Sequence, residues 1–237
     1  MPLFLLTSEI VFPDPNLARP DGLLAVGGDL GIKRLISAYS SGIFPWFSRG
    51  QPILWWSPDP RLLLFPGEIH VSGSLRKVLR RRKFSITLDT AFERVIRACA
   101  AEREKKAEGT WIVPAMIKAY CRLHDAGFAH SVEAWDNEGE LSGGLYGVSL
   151  GRCFFGESMF FVRPNASKAA LCVLAGHLAE KKFAFIDCQL TTPHLAAMGG
   201  REVPRRSFLI MLREALKFPT AAGKWNYFFT DSTRIAY

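Results

Sequence analysis

The chain has 237 residues, of which 49% are hydrophobic and 22% charged, a balance that excludes a disordered protein and suffices for a small and a medium domain. No stretch approaches the roughly 20 consecutive apolar residues of a membrane span, and the N-terminus lacks the basic leader of a secretory signal. Five dispersed cysteines without a CxxC pair indicate reduced thiols in a cytoplasm. The net charge of +8 favours a polyanionic partner such as nucleic acid, although by itself it only reports on solubility.

The first 60 residues predict a small N-terminal domain docked on a larger one. Segments 12–15 and 19–22 contain the Pro and Asp residues that preset tight bends. A short helix with one apolar face follows, capped by Asp29 and ended by Gly42. Three closely spaced tryptophans can bury much of the area of so small a module: Trp46, Trp55 and Trp56.

From residue 61 the pattern becomes α/β, and we expect a larger domain over 61–237, whose last part, 219–237, is a tail. The predicted elements are, in chain order, a strand at 61–65, a helix at 72–83, a strand at 84–88, helices from Thr90 and at 114–126, strands near 129–135, 140–150 and 152–161, a helix at 166–181, a strand at 183–190 and a helix at 204–216. The order strand, two helices, three strands, helix, strand is that of the N-acetyltransferase-like fold. The predicted class is therefore α/β (α+β), with a mixed sheet flanked by helices.

The densest charge in the chain is Arg-Lys-Val-Leu-Arg-Arg-Arg-Lys at 76–83. On a helix, Arg76, Arg80 and Lys83 fall on one exposed stripe without carboxylates, where like charges repel each other. A phosphate backbone would relieve that repulsion by releasing counterions. The alternative is a solvated basic face, but a charge cluster on a folded helix favours a binding function.

Two polar residues, Asp187 and Gln189, lie near the C-terminal end of the apolar strand at 183–190. Strand alternation puts them on one face, at the end of the sheet where ligands of open α/β proteins bind. An Asp in so apolar a run must be hydrogen-bonded, because an isolated buried carboxylate is costly. The pair predicts a site, and a loop-capping Asp with a sheet-end Gln is the alternative.

Glu157 lies in the apolar segment 154–161, and alternation predicts that it shares a strand face with Phe155 and Met159. A carboxylate in such surroundings is either paired or shifted in pKa, which favours a functional site over a structural salt bridge. Gly156 would let a substrate approach the backbone closely. The next helix begins at Asn165, and its N-terminus predicts either an anion site or an ordinary cap.

The sequence lacks the motifs of several kinds of active site. The histidines show no HExxH spacing and no cysteine pair supports zinc, so neither a metal nor another cofactor is expected. There is no GxSxG elbow and no P-loop. Cys188, between Ile186 and Leu190, is typical of a packed thiol rather than a nucleophile, so covalent catalysis is the weaker hypothesis.

Seven segments are distinctive in their exact residues and not only in their hydrophobic periodicity. They are GIFPWF at 42–47, LWWSPDPR at 54–61, GTWI at 109–112, FGESMF at 155–160, NASK at 165–168, IDCQ at 186–189 and PRR at 204–206. Together they resemble the leucyl/phenylalanyl-tRNA–protein transferase family over roughly residues 10–217. The resemblance implies a small N-terminal domain and a C-terminal domain of N-acetyltransferase-like fold. It also implies transfer of leucine or phenylalanine, and methionine less well, from aminoacyl-tRNA to proteins that begin with Arg or Lys, which creates an N-terminal degradation signal.

The resemblance also implies roles for individual residues. Asp187 and Gln189 match the pair that orients and activates the acceptor's α-amino group, and Glu157 matches the carboxylate near the aminoacyl-adenosine end. Trp46 and Trp111 match aromatic residues around the 3′-terminal adenosine and the cleft. The remaining substrate-binding residues are expected to be Leu145, Phe154, Gly156, Ser158, Leu171, Leu174 and Ile186, and the tRNA-binding residues Arg76, Lys77, Arg80 and Arg81. Relatives often carry Met at the position of Leu145 and Phe at that of Leu174, so the ranking of leucine and phenylalanine is open.

Two alternatives belong to other functional classes. An acyl-CoA N-acetyltransferase would share the fold, but it needs a glycine-rich loop before its helix, and 162–167 contains no glycine. A non-catalytic RNA-binding module would explain the basic helix but not the three polar residues Glu157, Asp187 and Gln189. We expect a monomer that acts away from membranes.

Overall fold

The computed structural model describes residues 2–104, 110–225 and 228–229. The strands are β1 (Phe4–Leu6), β2 (Leu23–Gly27), β3 (Phe44–Pro45), β4 (Leu54–Trp56), β5 (Arg61–Leu64), β6 (Ser85–Leu88), β7 (Ala129–Trp135), β8 (Leu141–Leu150), β9 (Cys153–Phe161), β10 (Phe185–Asp187), β11 (Arg201–Val203) and β12 (Phe228–Phe229). The helices are α1 (Ile32–Ser40), α2 (Gly73–Arg80), α3 (Phe92–Glu104), α4 (Pro114–Asp125), α5 (Ala166–Glu180), α6 (Pro193–Ala197) and α7 (Arg205–Ala215). No described helix has the length and apolarity required to cross a bilayer.

The N-terminal region forms a four-stranded sheet in the order β1-β2-β4-β3. Trp55 is fully buried, and its indole N–H donates to the carbonyl of Gly27 over 2.8 Å. The predicted cap of α1 is wrong: Gly31 occupies the cap position, and Asp29 instead accepts hydrogen bonds from the Gly31 N–H and from Arg34. The aromatic module was predictable, whereas its strands of two to five residues are too short to show an alternation.

The larger sheet has eight strands in the order β11-β5-β10-β9-β8-β7-β6-β12, in which β9 and β10 are parallel and the other pairs antiparallel. The predicted succession of elements from β6 to β10 and the mixed sheet flanked by helices are confirmed. The predicted strand at 183–190 is too long, because regular strand pairing covers only Phe185–Asp187. The short elements α6 and β11 were not predicted.

Helices cover both faces of the larger sheet. Residues of α3, α4, α7 and α1 form one hydrophobic cluster, which continues without a break into the buried side chains of the N-terminal sheet, such as Leu24 and Trp55. Residues of α5 and α2 form the second cluster on the other face. The polar and apolar parts of the site described below lie on these two faces.

Part of the predicted tail is packed against the larger sheet. Trp225 is buried, and the Gly223 N–H donates to the carbonyl of Gly127. Gly127 has a positive φ of 81°, and a Cβ there would lie 2.2 Å from the Gly223 nitrogen, so only glycine allows this approach. The stretches 226–227 and 230–237 of the tail lie outside the described residues.

Candidate active site

A cleft of about 730 Å³ lies where β8, β9 and the end of β10 meet the first turns of α5. Segment 44–46 of the N-terminal sheet also lines it, as do Trp111 and the unpredicted helix α6 through His194 and Leu195. Arg103 donates to the Ser158 hydroxyl over 3.1 Å, and its guanidinium lies 5.5 Å from the centre of the Trp111 ring. Residues from both sheets therefore build one cavity.

The apolar half of the site is made of five aliphatic and aromatic side chains on the α5 face. They converge from β8, β9, α5 and β10, and each is at most 4% exposed: Leu145, Phe154, Leu171, Leu174 and Ile186. Leu171 and Leu174 are three positions apart, so their side chains lie on the same face of α5, on successive turns. A cavity with this lining binds an apolar side chain of moderate size.

The polar half of the site is a hydrogen-bonded group of four side chains: Tyr39, Tyr120, Glu157 and Gln189. The phenol of Tyr39 donates to Glu157 Oε1 over 2.7 Å and that of Tyr120 to Oε2 over 3.1 Å, and the two phenols also contact each other. The amide of Gln189 approaches Glu157 Oε1 at 3.5 Å. Glu157 and Gln189 line the cleft, whereas both tyrosines are fully buried.

A β-bulge determines where Glu157 points. Tyr146 pairs with Ser158 and Gly147 with Gly156, so Glu157 is an extra residue on β9. It faces the same side as Phe155, as predicted, but Met159 packs against the cluster on the opposite face, contrary to prediction. An extra residue interrupts strict alternation, and bulges of this kind often redirect a side chain at active sites.

The environment of Glu157 changes its proton affinity. Burial raises the pKa of this carboxyl from 4.5 to about 7, even though the hydrogen bonds from Tyr39 and Tyr120 lower it. Burial likewise raises the pKa of both tyrosines well above 10, and the nearby Glu157 charge adds to the shift. At neutral pH the phenols therefore donate, and the carboxyl is divided between its protonated and ionised forms.

Asp187 lies beneath the cleft and does not line it. Both of its oxygens bind the Arg61 guanidinium, Oδ1 to Nε over 2.8 Å and Oδ2 to Nη2 over 2.7 Å, and both side chains are fully buried. Oδ1 also accepts the backbone N–H of Gln189 over 2.9 Å. Gln189 has a positive φ of 58°, so it has left the strand, and the ion pair supports this uncommon conformation.

The basic helix α2 lies outside the cleft. It ends at Arg80, and Arg82 has a positive φ of 48°, so the predicted stripe through Lys83 is wrong in its last member. Lys77, Arg80 and Arg81 are exposed and Arg76 is half-buried. The end of α2 packs against α5 at Ala169, and the preceding Lys168 lines the cleft, so the cluster lies one helix away from it.

The structure brings most of the predicted residues together. Glu157, Gln189 and all the predicted substrate-binding residues line the cleft: Trp46, Trp111, Leu145, Phe154, Gly156, Ser158, Leu171, Leu174 and Ile186. Of the motif at 109–112, Gly109 lies outside the described residues. Asn165 lines the cleft, but its side chain makes no cap hydrogen bond.

Three residues that hold Glu157 and Asp187 in place were not predicted: Arg61, Tyr39 and Tyr120. Arg61 begins an apolar strand, and a buried arginine requires a carboxylate partner, a signal that could have identified Asp187. The tyrosines lie on core-facing helix positions, where phenols are usual, and no sequence signal separates them from packing residues. Among the described residues, no three His, Cys, Asp or Glu side chains are grouped to hold a metal ion.

Comparison with known proteins identifies the family to which the chain is similar. The model of the family "Leucyl/phenylalanyl-tRNA protein transferase" matches residues 63–213, and that of its N-terminal domain matches residues 28–59. A leucyl/phenylalanyl-tRNA–protein transferase of Desulfatibacillum aliphaticivorans is 63% identical over 226 residues, covering 95% of this chain and 97% of that one. One of Desulforapulum autotrophicum is 56% identical over 225 residues, covering 95% and 98%.

Similarity to solved structures is weaker. The structure of L-PGS from Bacillus licheniformis has a TM-score of 0.41 and 13% identity, and it covers 73% of this chain and 57% of that one. A likeness at this level carries no conclusion about fold or function. The two family-model matches and the sequence identity over nearly the whole length do identify the family. The chain belongs to the leucyl/phenylalanyl-tRNA–protein transferase family.

Proposed function

We propose that the chain transfers leucine or phenylalanine, and methionine less well, from aminoacyl-tRNA to the α-amino group of proteins that begin with Arg or Lys. The modified protein then carries an N-terminal degradation signal. The observation that carries the proposal is that one cleft joins a pocket for an apolar side chain to a polar group containing Glu157 and Gln189. Because charged tRNA is the donor, the proposed reaction takes place in the cytoplasm. We also propose that the protein acts as a monomer.

The apolar half holds the side chain of the donated amino acid. Leucine, phenylalanine and methionine differ in shape but are all apolar, and none needs a hydrogen-bonding partner. A pocket of this kind separates ligands by only about 1–3 kcal/mol per methylene-sized change. Selectivity among leucine, phenylalanine and methionine is therefore incomplete. The aromatic residues Trp46 and Trp111 hold the adenosine to which the amino acid is esterified.

The polar half acts on the acceptor. The ester is already activated, so aminolysis needs an oriented, neutral amine more than a strong nucleophile. Gln189 orients the α-amino group through its amide. The nitrogen attacks the ester carbonyl, the bond from that carbon to the ribose oxygen breaks, and the leaving oxygen takes up the proton that the amine loses, relayed by Glu157. Glu157, with a pKa of about 7, accepts the proton that the amine loses.

Asp187 is a positioning residue in this scheme. It is buried and bound to Arg61, so it does not reach the substrate, but it accepts the backbone N–H of Gln189. The ion pair thereby fixes the turn from which the Gln189 side chain enters the cleft. Arg61 also donates to the carbonyl of Gly42, next to the cleft-lining segment 44–46, which connects the pair with the N-terminal sheet.

The basic cluster binds the tRNA backbone. Arg76, Lys77, Arg80 and Arg81 provide charge near α5 while the 3′ end enters the cleft. Phosphates are contacted without regard to base sequence, so this cluster contributes affinity rather than choice of amino acid.

Product formation tests the proposal directly. The purified chain is incubated with Leu-tRNA or Phe-tRNA and a peptide beginning with Arg, and the products are identified by mass spectrometry. We expect a peptide extended by Leu or Phe, and no extension when the same peptide is N-acetylated. Tight tRNA binding without product would instead support an RNA-binding module, and acetylation by acetyl-CoA would support an N-acetyltransferase.

A further inference from the structure

The tail of the chain lies against the back of the apolar half of the site. Trp225 is 7% exposed and stacks on His130, with ring centres 3.8 Å apart and planes 9° apart. On the side of the cleft, its ring centre lies 6.1 Å from that of Phe154. Phe154 lines the cleft, so Trp225 is one side chain removed from the donated amino acid.

Several hydrogen bonds hold the tail in this position. The backbone N–H of Trp225 donates to Asp89 Oδ2 over 2.7 Å, and the same oxygen accepts the Nδ1–H of His130 over 2.8 Å. Upstream, the Gly151 N–H donates to the hydroxyl of Thr220 over 2.9 Å. One carboxylate thus fixes both the backbone of Trp225 and the imidazole on which its indole stacks.

Phe154 is confined from two directions. Its ring covers Gly147 on the neighbouring strand, where a Cβ would lie 2.5 Å from Phe154 Cε1, so a side chain there is excluded. Trp225 lies on another side. The ring cannot retreat from the cleft while Trp225 is in place, because protein cores are close-packed and leave few voids.

We infer that Trp225 is a positioning residue that sets the depth of the amino-acid pocket by fixing Phe154, and thereby limits the preference for phenylalanine over leucine. The inference rests on the proposed function. Removing the indole leaves a void behind Phe154, and neighbouring side chains relax partly into such voids. The pocket then deepens, which favours the longer aromatic side chain over leucine.

The test compares Trp225→Ala and Trp225→Phe with the unmodified chain. For each protein, kcat/KM is measured with Leu-tRNA and with Phe-tRNA, using the same peptide beginning with Arg. We expect the Phe:Leu ratio to rise about 10-fold in Trp225→Ala and less in Trp225→Phe, in line with the discrimination that apolar pockets achieve. The affinity for uncharged tRNA should not change.

Leu24→Ala is the matched control. Leu24 is fully buried in the N-terminal sheet and does not line the cleft, so this variant loses core packing but should keep the ratio. Should Trp225→Ala fail to melt cooperatively, Trp225→Phe and Thr220→Val, which loosens the tail at Gly151, still test the inference.

Folded Trp225 variants with an unchanged Phe:Leu ratio would overturn the inference. Stable 3′-amide analogues of Phe-adenosine and Leu-adenosine measure the same preference as a ratio of dissociation constants, without turnover. An unmodified chain that binds these analogues but makes no product would count against the proposed function alone, and an unchanged ratio in the variants against the role of Trp225 alone.

Discussion

The apolar and polar halves of the site are built in different ways. The apolar half comes from β8, β9, α5 and β10, which follow one another along the chain, and its side chains need only fill space. The polar half joins Tyr39 of α1, Tyr120 of α4, Glu157 at a bulge and Gln189 beyond a strand end. Under the proposed mechanism, changes in the packing of the apolar half should alter which amino acid is accepted, whereas displaced hydrogen bonds in the polar half should alter the rate of transfer.

Replacing Glu157 with Gln should have the largest effect, since it removes the proton acceptor but keeps the shape. We expect kcat to fall between about 10²- and 10⁴-fold, the usual contribution of a general base. The pKa of about 7 also predicts a pH–rate profile that rises through pH 7 in the unmodified chain and loses that rise in the variant. The acceptor amine, with a free pKa near 8, should still titrate in both proteins. An unaltered profile would remove Glu157 from the mechanism.

The same carboxyl has a consequence for stability. Its pKa in the folded chain is raised to about 7 from 4.5. Between these values the folded state holds more protons than the unfolded state, so the free energy of unfolding decreases as pH rises from about 4.5 to 7. We expect urea unfolding of Glu157→Gln to show a smaller decrease across this window.

Replacing Asp187 with Asn should lower kcat about 100-fold, the cost of misplacing a reacting group. The amide presents an N–H to Arg61, which leaves a buried charge uncompensated at a cost of about 3–5 kcal/mol. Binding of tRNA should persist. Asp29→Asn disturbs an ion pair with Arg34 that lies outside the cleft and is open to solvent on the Asp29 side, and it should leave kcat unchanged. Loss of tRNA affinity in parallel with kcat would indicate general misfolding instead.

Replacing Leu174 with Ala tests the other half. Truncation enlarges the pocket, and we expect kcat/KM with Leu-tRNA to fall about 10-fold relative to Phe-tRNA. The midpoint of the pH–rate profile should stay in place, because the proton acceptor is untouched. A shifted midpoint with an unaltered preference would contradict the division into two halves.

Replacing Arg80 and Arg81 with Ala should affect both donors equally, because neither half of the site is changed. If each contacts one phosphate, the slope of log affinity against log salt should decrease by about 1.5 to 2. Arg213→Ala, an exposed substitution on α7, is the control for charge alone. Binding that weakens without a change in slope would argue against direct phosphate contacts.

Replacing Tyr120 with Phe should have the smallest effect. The phenol lowers the pKa of Glu157, so its loss should move the midpoint of the pH–rate profile upward, by about one pH unit for a hydrogen bond to a charged group. The rate at pH 9 should be nearly unaffected. A midpoint that moves downward would contradict the assigned direction of the hydrogen bond.

The difference between the halves also explains what the sequence could predict. Long, strongly patterned elements such as α5, β8 and β9 were predicted within a residue or two. The strand carrying Asp187 was overextended, because hydrophobicity continues past the last paired residue while the backbone turns at Gln189. The family resemblance supplied the residues of the cleft but not the partners that orient them.

The partners that hold Glu157 and Asp187 escaped prediction because their contacts are remote in sequence. Tyr39 reaches Glu157 across 118 positions, and Arg61 reaches Asp187 across 126. Such long-range pairs produce no local periodicity in the sequence, and a bulge has no compositional signature. The buried ion pair could have been anticipated by asking which carboxylate neutralises an arginine that begins an apolar strand.

We propose that the boundary between the N-terminal and C-terminal domains lies between residues 60 and 61. Tyr39 belongs to the first piece, yet its phenol binds the carboxylate at the bulge of β9. A fragment that starts at residue 61 would therefore contain the whole amino-acid pocket and still lack one of the two phenols on Glu157. Such a fragment also lacks Trp46 and the packing that the two regions share, so we expect slow transfer that improves when the separate first piece is added, as between two subunits of one enzyme.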